Sequence, residues 1–112
     1  MNSRMKDFYD IWMLSRTFDF SGEVLAEAVE KTFKNRNTLI TADPMVFDPS
    51  FAKDGDKNIQ WKGFIRKARL AGAPETFKEA VTTVKAFLEP LVVSLADRRT
   101  FRRTWNAPGP WR

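Results

Sequence analysis

The chain contains neither cysteine nor histidine. Without cysteine there are no disulfides and no thiolate metal sites. Without histidine the commonest metal ligand, the usual general base and the usual neutral-pH switch are all missing. A Ser-His-Asp or Cys-His mechanism is therefore excluded. Any chemistry falls to carboxylates, lysine, arginine, tyrosine and hydroxyl groups. No apolar run approaches the roughly 18 residues that a membrane span needs. No secretory signal opens the sequence. A cytoplasmic location with no membrane partner is the expectation. Phosphate-loop patterns are absent too: there is no GxxxxGK[ST], no GxGxxG and no Gly-Ser dipeptide.

What is present suits one globular domain. The 112 residues are 43% hydrophobic and 13% aromatic, enough to bury a modest core without staples. The net charge is +5, from 19 Lys and Arg against 14 Asp and Glu. Five arginines (Arg98, Arg99, Arg102, Arg103 and Arg112) lie in "RRTFRRTWNAPGPWR" at 98–112, which holds no acid. Outside that tail 14 cations face 14 acids, so the tail carries the whole excess.

Helical periodicity dominates the rest. After Met5, residues Phe8, Ile11, Trp12, Leu14 and Phe18 form a broad stripe, and Ser3 can cap the helix that carries it. Ser21 suits the N-cap of a second helix running to about Asn35, with Phe20 stapled onto Leu25. Residues 36–53 are irregular, although Asp48 as a cap and Pro49 at a first helical position predict a short turn. Trp61, Phe64, Ile65 and Ala68 fit a third helix over 56–69, closed by Gly72 with Pro74 beginning the next. Phe77, Ala80, Val81, Val84, Phe87, Leu88, Leu91 and Leu95 make the clearest seam. Pro90 within it predicts a kink or break near 86–88. Nothing alternates with strand period, and "TLI" at 38–40 is too short to count. The pattern predicts an all-α fold, an irregular bundle of four to five helices over 1–97. Residues 98–112 form an extended basic tail, packed on or extending from that bundle.

Three stretches carry possible chemistry. "DGDKN" at 54–58 invites a calcium loop, but an EF-hand starting at Asp54 needs Gly at 59 and Glu at 65, where the chain has Ile59 and Ile65. A cap for the third helix is the better reading. In the tail, arginines interleaved with Phe101, Trp105 and Trp111 suit nucleic acid, with Arg98, Arg99, Arg102, Arg103 and Trp105 as contacts. The same rings, costly in water, equally suit a strap across the bundle. In "RMKDFYD" at 4–10, Asp7 and Asp10 fall on one helical face beside Arg4 and Lys6. They could begin a phosphate or metal site. They could also simply open a helix, with acids opposing its dipole and Lys6 pairing with Asp10.

"RMKDFYDIWMLSRTFDFSGEVLAEAVEKTFKNRNT", "FAKDGDKNIQWKGFIRKARL", "FLEP" and the closing "GPWR" resemble the C-terminal part of the AbiEii/AbiGii nucleotidyltransferase toxin family, over nearly the whole chain. The resemblance implies a DNA polymerase β-like nucleotidyltransferase that uses NTP and Mg²⁺, modifies tRNA acceptor ends, is opposed by a cognate antitoxin, and serves phage defence or growth arrest. In such enzymes a Gly-Ser loop and an Asp-x-Asp pair, in an α/β unit, hold the triphosphate and metals. Here the one Asp-x-Asp, Asp54 and Asp56, follows neither strand nor Gly-Ser loop. The stretch matching 4–10 completes the nucleotide site from the helical side. Lys6 and Asp7 are its main inherited candidates, Arg4 and Asp10 its supports, and Arg4 and Lys6 would meet the substrate phosphates. The resemblance therefore implies a truncated or stand-alone helical portion, inactive alone and needing no cofactor itself. A missing catalytic half, an antitoxin or tRNA are the partners it suggests. The alternative is a small helical binding or oligomerisation module, contacting RNA or a protein partner through its basic tail, or a second copy through Phe8, Tyr9, Trp12 and Met13.

Overall fold

Helix α5 (Phe77–Ala96) is the spine of the fold. The computed structural model describes residues 4–35 and 49–112. Thr76 caps α5 by accepting the Glu79 amide at 3.2 Å. Phe77, Ala80, Val81, Val84, Phe87, Leu91 and Val92 are buried along it. Leu88 and Leu95 are only half-buried, so the inward face sits slightly off the predicted seam. Of the kink or break expected near 86–88, the break does not occur: α5 runs as one helix through Pro90. Phe87 and Leu91, on either side of the proline, are locked into one apolar cluster. That packing offsets the hydrogen bond which the proline removes.

Among the described residues four further helices surround the spine: α1 (Arg4–Thr17), α2 (Gly22–Asn35), the single turn α3 (Pro49–Ala52) and α4 (Gly55–Ala68). Helix α1 makes the most extensive contact with α5. Ser21 Oγ accepts the Val24 amide at 3.5 Å, a long cap at the start of α2. Pro49 takes the first position of α3, where its missing N–H costs nothing. The Ser3 and Asp48 caps lie outside the described residues. Helix α4 ends differently from the sequence reading: Arg69, not Gly72, takes the left-handed cap, at φ 53°. Gly72 adopts φ 86° in the turn that follows. Pro74 does not start α5 but offers its carbonyl to Trp61 Nε1 at 2.8 Å.

Two apolar clusters share α5. One end gathers Met5, Trp61, Phe77, Ala80 and Val81, flanked by Phe8, Tyr9, Phe51 and Phe64. The other gathers Ala26, Phe87, Leu91, Val92, Phe101, Trp105 and Trp111. The second is closed by a small sheet that no strand-period pattern announces. Strand β1 (Phe20–Ser21) pairs antiparallel with β2 (Thr104–Trp105), Phe20 opposite Trp105. Trp105 in turn bridges to Trp111, and Thr104 and Arg112 exchange backbone hydrogen bonds at 2.9 Å each way. Gly109 turns the chain between them at φ 99°, and a Cβ there would collide with the Trp105 indole. The fold is all-α apart from this clasp.

Candidate functional site

The start of α1 is oriented by its apolar residues. Met5 is buried. Phe8 meets Phe77 edge-on at 5.0 Å between ring centres, and Tyr9 lies 6.2 Å from Phe64. With those side chains turned inward, Lys6 and Asp7 are exposed and Asp10 is half-exposed. Arg4 opens the helix. Lys6 Nζ donates to Asp10 Oδ2 at 2.8 Å. That hydrogen bond, and then the charge of Asp10, raise the Lys6 amine above its ordinary value, with a smaller push from Asp7. Asp7 takes part in no ion pair among the described residues.

Along the same helix, Met13 and Leu14 remain 37% and 38% exposed, and Phe18 just beyond it 52%. Of the residues expected to meet a second copy, Phe8 and Tyr9 are committed to internal ring contacts, and Arg16 stacks on Trp12 at 5.4 Å. Leu14 and Phe18 were missed because they had been read as part of the inward stripe. The signal was available, since apolar residues on every side of one helix exceed what a single core face can take.

Beside α1, an open groove of about 780 Å³ runs between Trp12, Arg16, residues 72–76 and the first turns of α5. Lys6, Asp7 and Asp10 do not line it. Among the described residues no group of three or more acids could hold a metal ion. The Asp54–Asp56 pair is structural: Asp54 Oδ1 accepts the Lys57 amide at 3.0 Å and caps α4. Its neighbour Asn58 was overlooked. It donates to the Ala52 and Asp54 carbonyls and accepts the Phe77 amide at 3.1 Å, stitching α3, α4 and α5 together.

At the other end of the molecule the tail divides its residue types. Arg98, Arg99, Arg102 and Arg103 are exposed. Phe101, Trp105 and Trp111 are 5%, 2% and 7% exposed. Trp105 packs edge-on against Phe87 at 4.8 Å and donates its indole N–H to the Ser15 carbonyl at 2.6 Å. Trp111 stacks on Phe87 and donates to the Phe87 carbonyl at 2.7 Å. No face of Trp105 is left for a base. Among the described residues, neither the groove beside α1 nor the one lined by Arg99, Arg102 and Arg103 brings the tail arginines together with Lys6 and Asp7.

Fold and surface together define a small helical domain with a mixed-charge rim on its first helix and an arginine-rich end. Among the described residues no helix is long and apolar enough to cross a membrane. Residues 1–83 match the family model described as nucleotidyl transferase AbiEii toxin, of the type IV toxin–antitoxin systems, and the chain belongs to that family. No curated protein and no solved structure matches the chain.

Proposed function

We propose that this chain is the helical portion of a nucleotidyltransferase-like toxin, completing a nucleotide site with the outer edge of α1 and not transferring nucleotides by itself. The supporting observation is the contrast along α1. Its inward residues are packed, whereas Lys6, Asp7 and Asp10 stand outward next to exposed Met13 and Leu14. A charged rim followed by unsatisfied apolar surface suits a helix that another unit closes against. In this reading Lys6 meets a nucleotide phosphate, Asp7 holds the register of the base or of the facing unit, and Asp10 aims the Lys6 amine. Arg4 supports the same phosphates.

The Mg²⁺ that the family implies does not fit these residues alone. Asp10 is engaged by Lys6, the Asp54 carboxylate is spent on a helix cap, and Asp7 belongs to no group of three or more metal-ligating side chains among the described residues. Mg²⁺ is usually held by one or two carboxylates together with substrate phosphates, so the metal-binding acids would have to come from a unit carrying the Gly-Ser and Asp-x-Asp motifs. A cognate antitoxin, and a setting in growth arrest or phage defence, follow from the same reading.

The test is direct. The purified chain is incubated with Mg²⁺, each labelled NTP in turn and bulk RNA. No label should enter RNA, and robust transfer would overturn the proposal. In parallel, backbone NMR with added ATP should place any shifts on residues 4–10. Shifts confined to another surface would remove α1 as the rim.

A further inference from the structure

We propose that the groove between the second half of α5 and residues 99–103 binds phosphate groups through Arg99, Arg102 and Arg103, without reading bases. The site does not depend on the nucleotidyltransferase reading, which rests on α1. The groove encloses about 480 Å³ and is lined by these three arginines, Ser94 and Thr100 among others. The one acid on its lining among the described residues, Glu89, lies 4.0 Å from Lys85, a solvent-exposed pair that offsets part of its charge. Guanidinium groups bind phosphate oxygens through paired, charge-assisted hydrogen bonds, and hydroxyls can add further donors.

The three arginines are placed for this in complementary ways. Arg102 meets Glu23 through Nε at 3.3 Å, which leaves both of its terminal amino groups for another anion. Arg99 is steadied by Asp97 at 2.9 Å through one terminal nitrogen. Arg103 makes no ion pair among the described residues. The backbone beneath them is fixed. The Gly22 amide donates to the Arg103 carbonyl at 2.6 Å, the Arg99 amide to the Ser94 carbonyl at 2.8 Å, and Ser21 pairs with Thr104 across the sheet. Backbone tied to α5 at one end and to the sheet at the other holds its geometry better than a free arm.

The aromatic residues decide what the groove can recognise. Phe101, Trp105 and Trp111 all point into the core, so the tail offers no open ring on which a base could stack. Affinity must then come from phosphate charge alone, and it should be indifferent to sequence and steep in salt. Two sources share this chemistry: the backbone of a single-stranded polynucleotide, and a free polyphosphate.

The experiment measures fluorescence anisotropy of labelled rU and rA oligonucleotides on the full chain over a salt series. Equal affinity for the two, within about twofold, is expected, with a log–log salt slope of about −2 for three phosphate contacts on a single strand. Arg99→Gln with Arg103→Gln should lower affinity about tenfold and bring the slope to about −0.7. Arg66→Gln with Lys67→Gln on α4 removes the same charge elsewhere and should leave binding within about twofold. Native tryptophan fluorescence verifies that both variants are folded. Inorganic tripolyphosphate that displaces the oligonucleotide at comparable concentration identifies a free polyphosphate as ligand, and failure to displace identifies the polymer backbone. Equal loss in the two double variants, a preference of more than about tenfold between rU and rA, or no binding at low salt would each overturn the proposal.

Discussion

Trp105 joins segments that lie far apart in the chain. Its ring packs on Phe87 of α5 and on Trp111, and its indole N–H reaches the Ser15 carbonyl, ninety residues away. Trp105→Ala should cost about 3–5 kcal/mol, the usual loss for a large buried ring. Trp105→Phe keeps most of the volume but loses the hydrogen bond, so it should cost about 1–2 kcal/mol. Urea unfolding separates the two, and a Trp105→Phe midpoint equal to that of the parent chain would show that the hydrogen bond adds nothing. The sequence announced that two tryptophans in a short tail must be covered. It could not announce which carbonyl each would find, because that depends on contacts between chain ends. Lys6 is a simpler case. Its pairing with Asp10 was legible from i, i+4 spacing, and the hydrogen bond and charge of Asp10 raise its amine above the ordinary 10.5. The pair therefore favours the folded state fully below the unfolded lysine value, and the contribution fades as pH climbs through the folded one. Asp10→Asn should return the Lys6 titration, followed by side-chain NMR, toward 10.5. An unchanged titration would mean that the pair does not form in solution.

Helices α4 and α5 show what periodicity reveals and where it stops. The apolar template placed α4 within a residue of its observed limits, because Trp61, Phe64 and Ile65 face one cluster. Its C-cap was misplaced. Glycine is the usual left-handed cap, but here the adjacent bonds from Arg69 to the Arg66 carbonyl and from Leu70 to the Ile65 carbonyl hold Arg69 in that conformation. At Pro90 local propensity allows a kink or a break, and packing on both sides of it keeps the helix unbroken. Strands β1 and β2 could not be read at all, since two residues each carry no periodicity and their pairing spans most of the chain. Gly63 gives the cleanest test at this scale. It lies exposed inside α4, and a Cβ built there meets nothing within 4 Å. Gly63→Ala should therefore raise stability by about 0.8–1 kcal/mol, and the melting temperature by about 4 °C or more. A neutral or destabilising result would show that helix propensity does not limit stability at this position.

For the molecule as a whole, the tail is where charge and packing part company. All of the excess charge lies in residues 98–112, yet the same stretch supplies Phe101, Trp105 and Trp111 to the cluster around Phe87, Leu91 and Val92. An appended arm could be removed at little cost, and this segment should not behave as one. Each of the three rings is worth about 3–5 kcal/mol when truncated from a core. Their combined loss, even with substantial non-additivity, rivals the roughly 5–15 kcal/mol that holds a typical domain together. Deleting residues 98–112 also strips β1 of its partner and uncovers the apolar side of Phe87 and Leu91. The shortened chain should lose cooperative thermal unfolding, bind a hydrophobic dye, and retain only part of its helical circular dichroism. The cluster around Trp61 and Phe77 contains no tail residue, so residual helix should concentrate in α4 and the first half of α5, where hydrogen exchange would find the slowest amides. A shortened chain that still melts sharply near the full-length temperature would show that the clasp is dispensable and that the bundle stands on its first cluster alone.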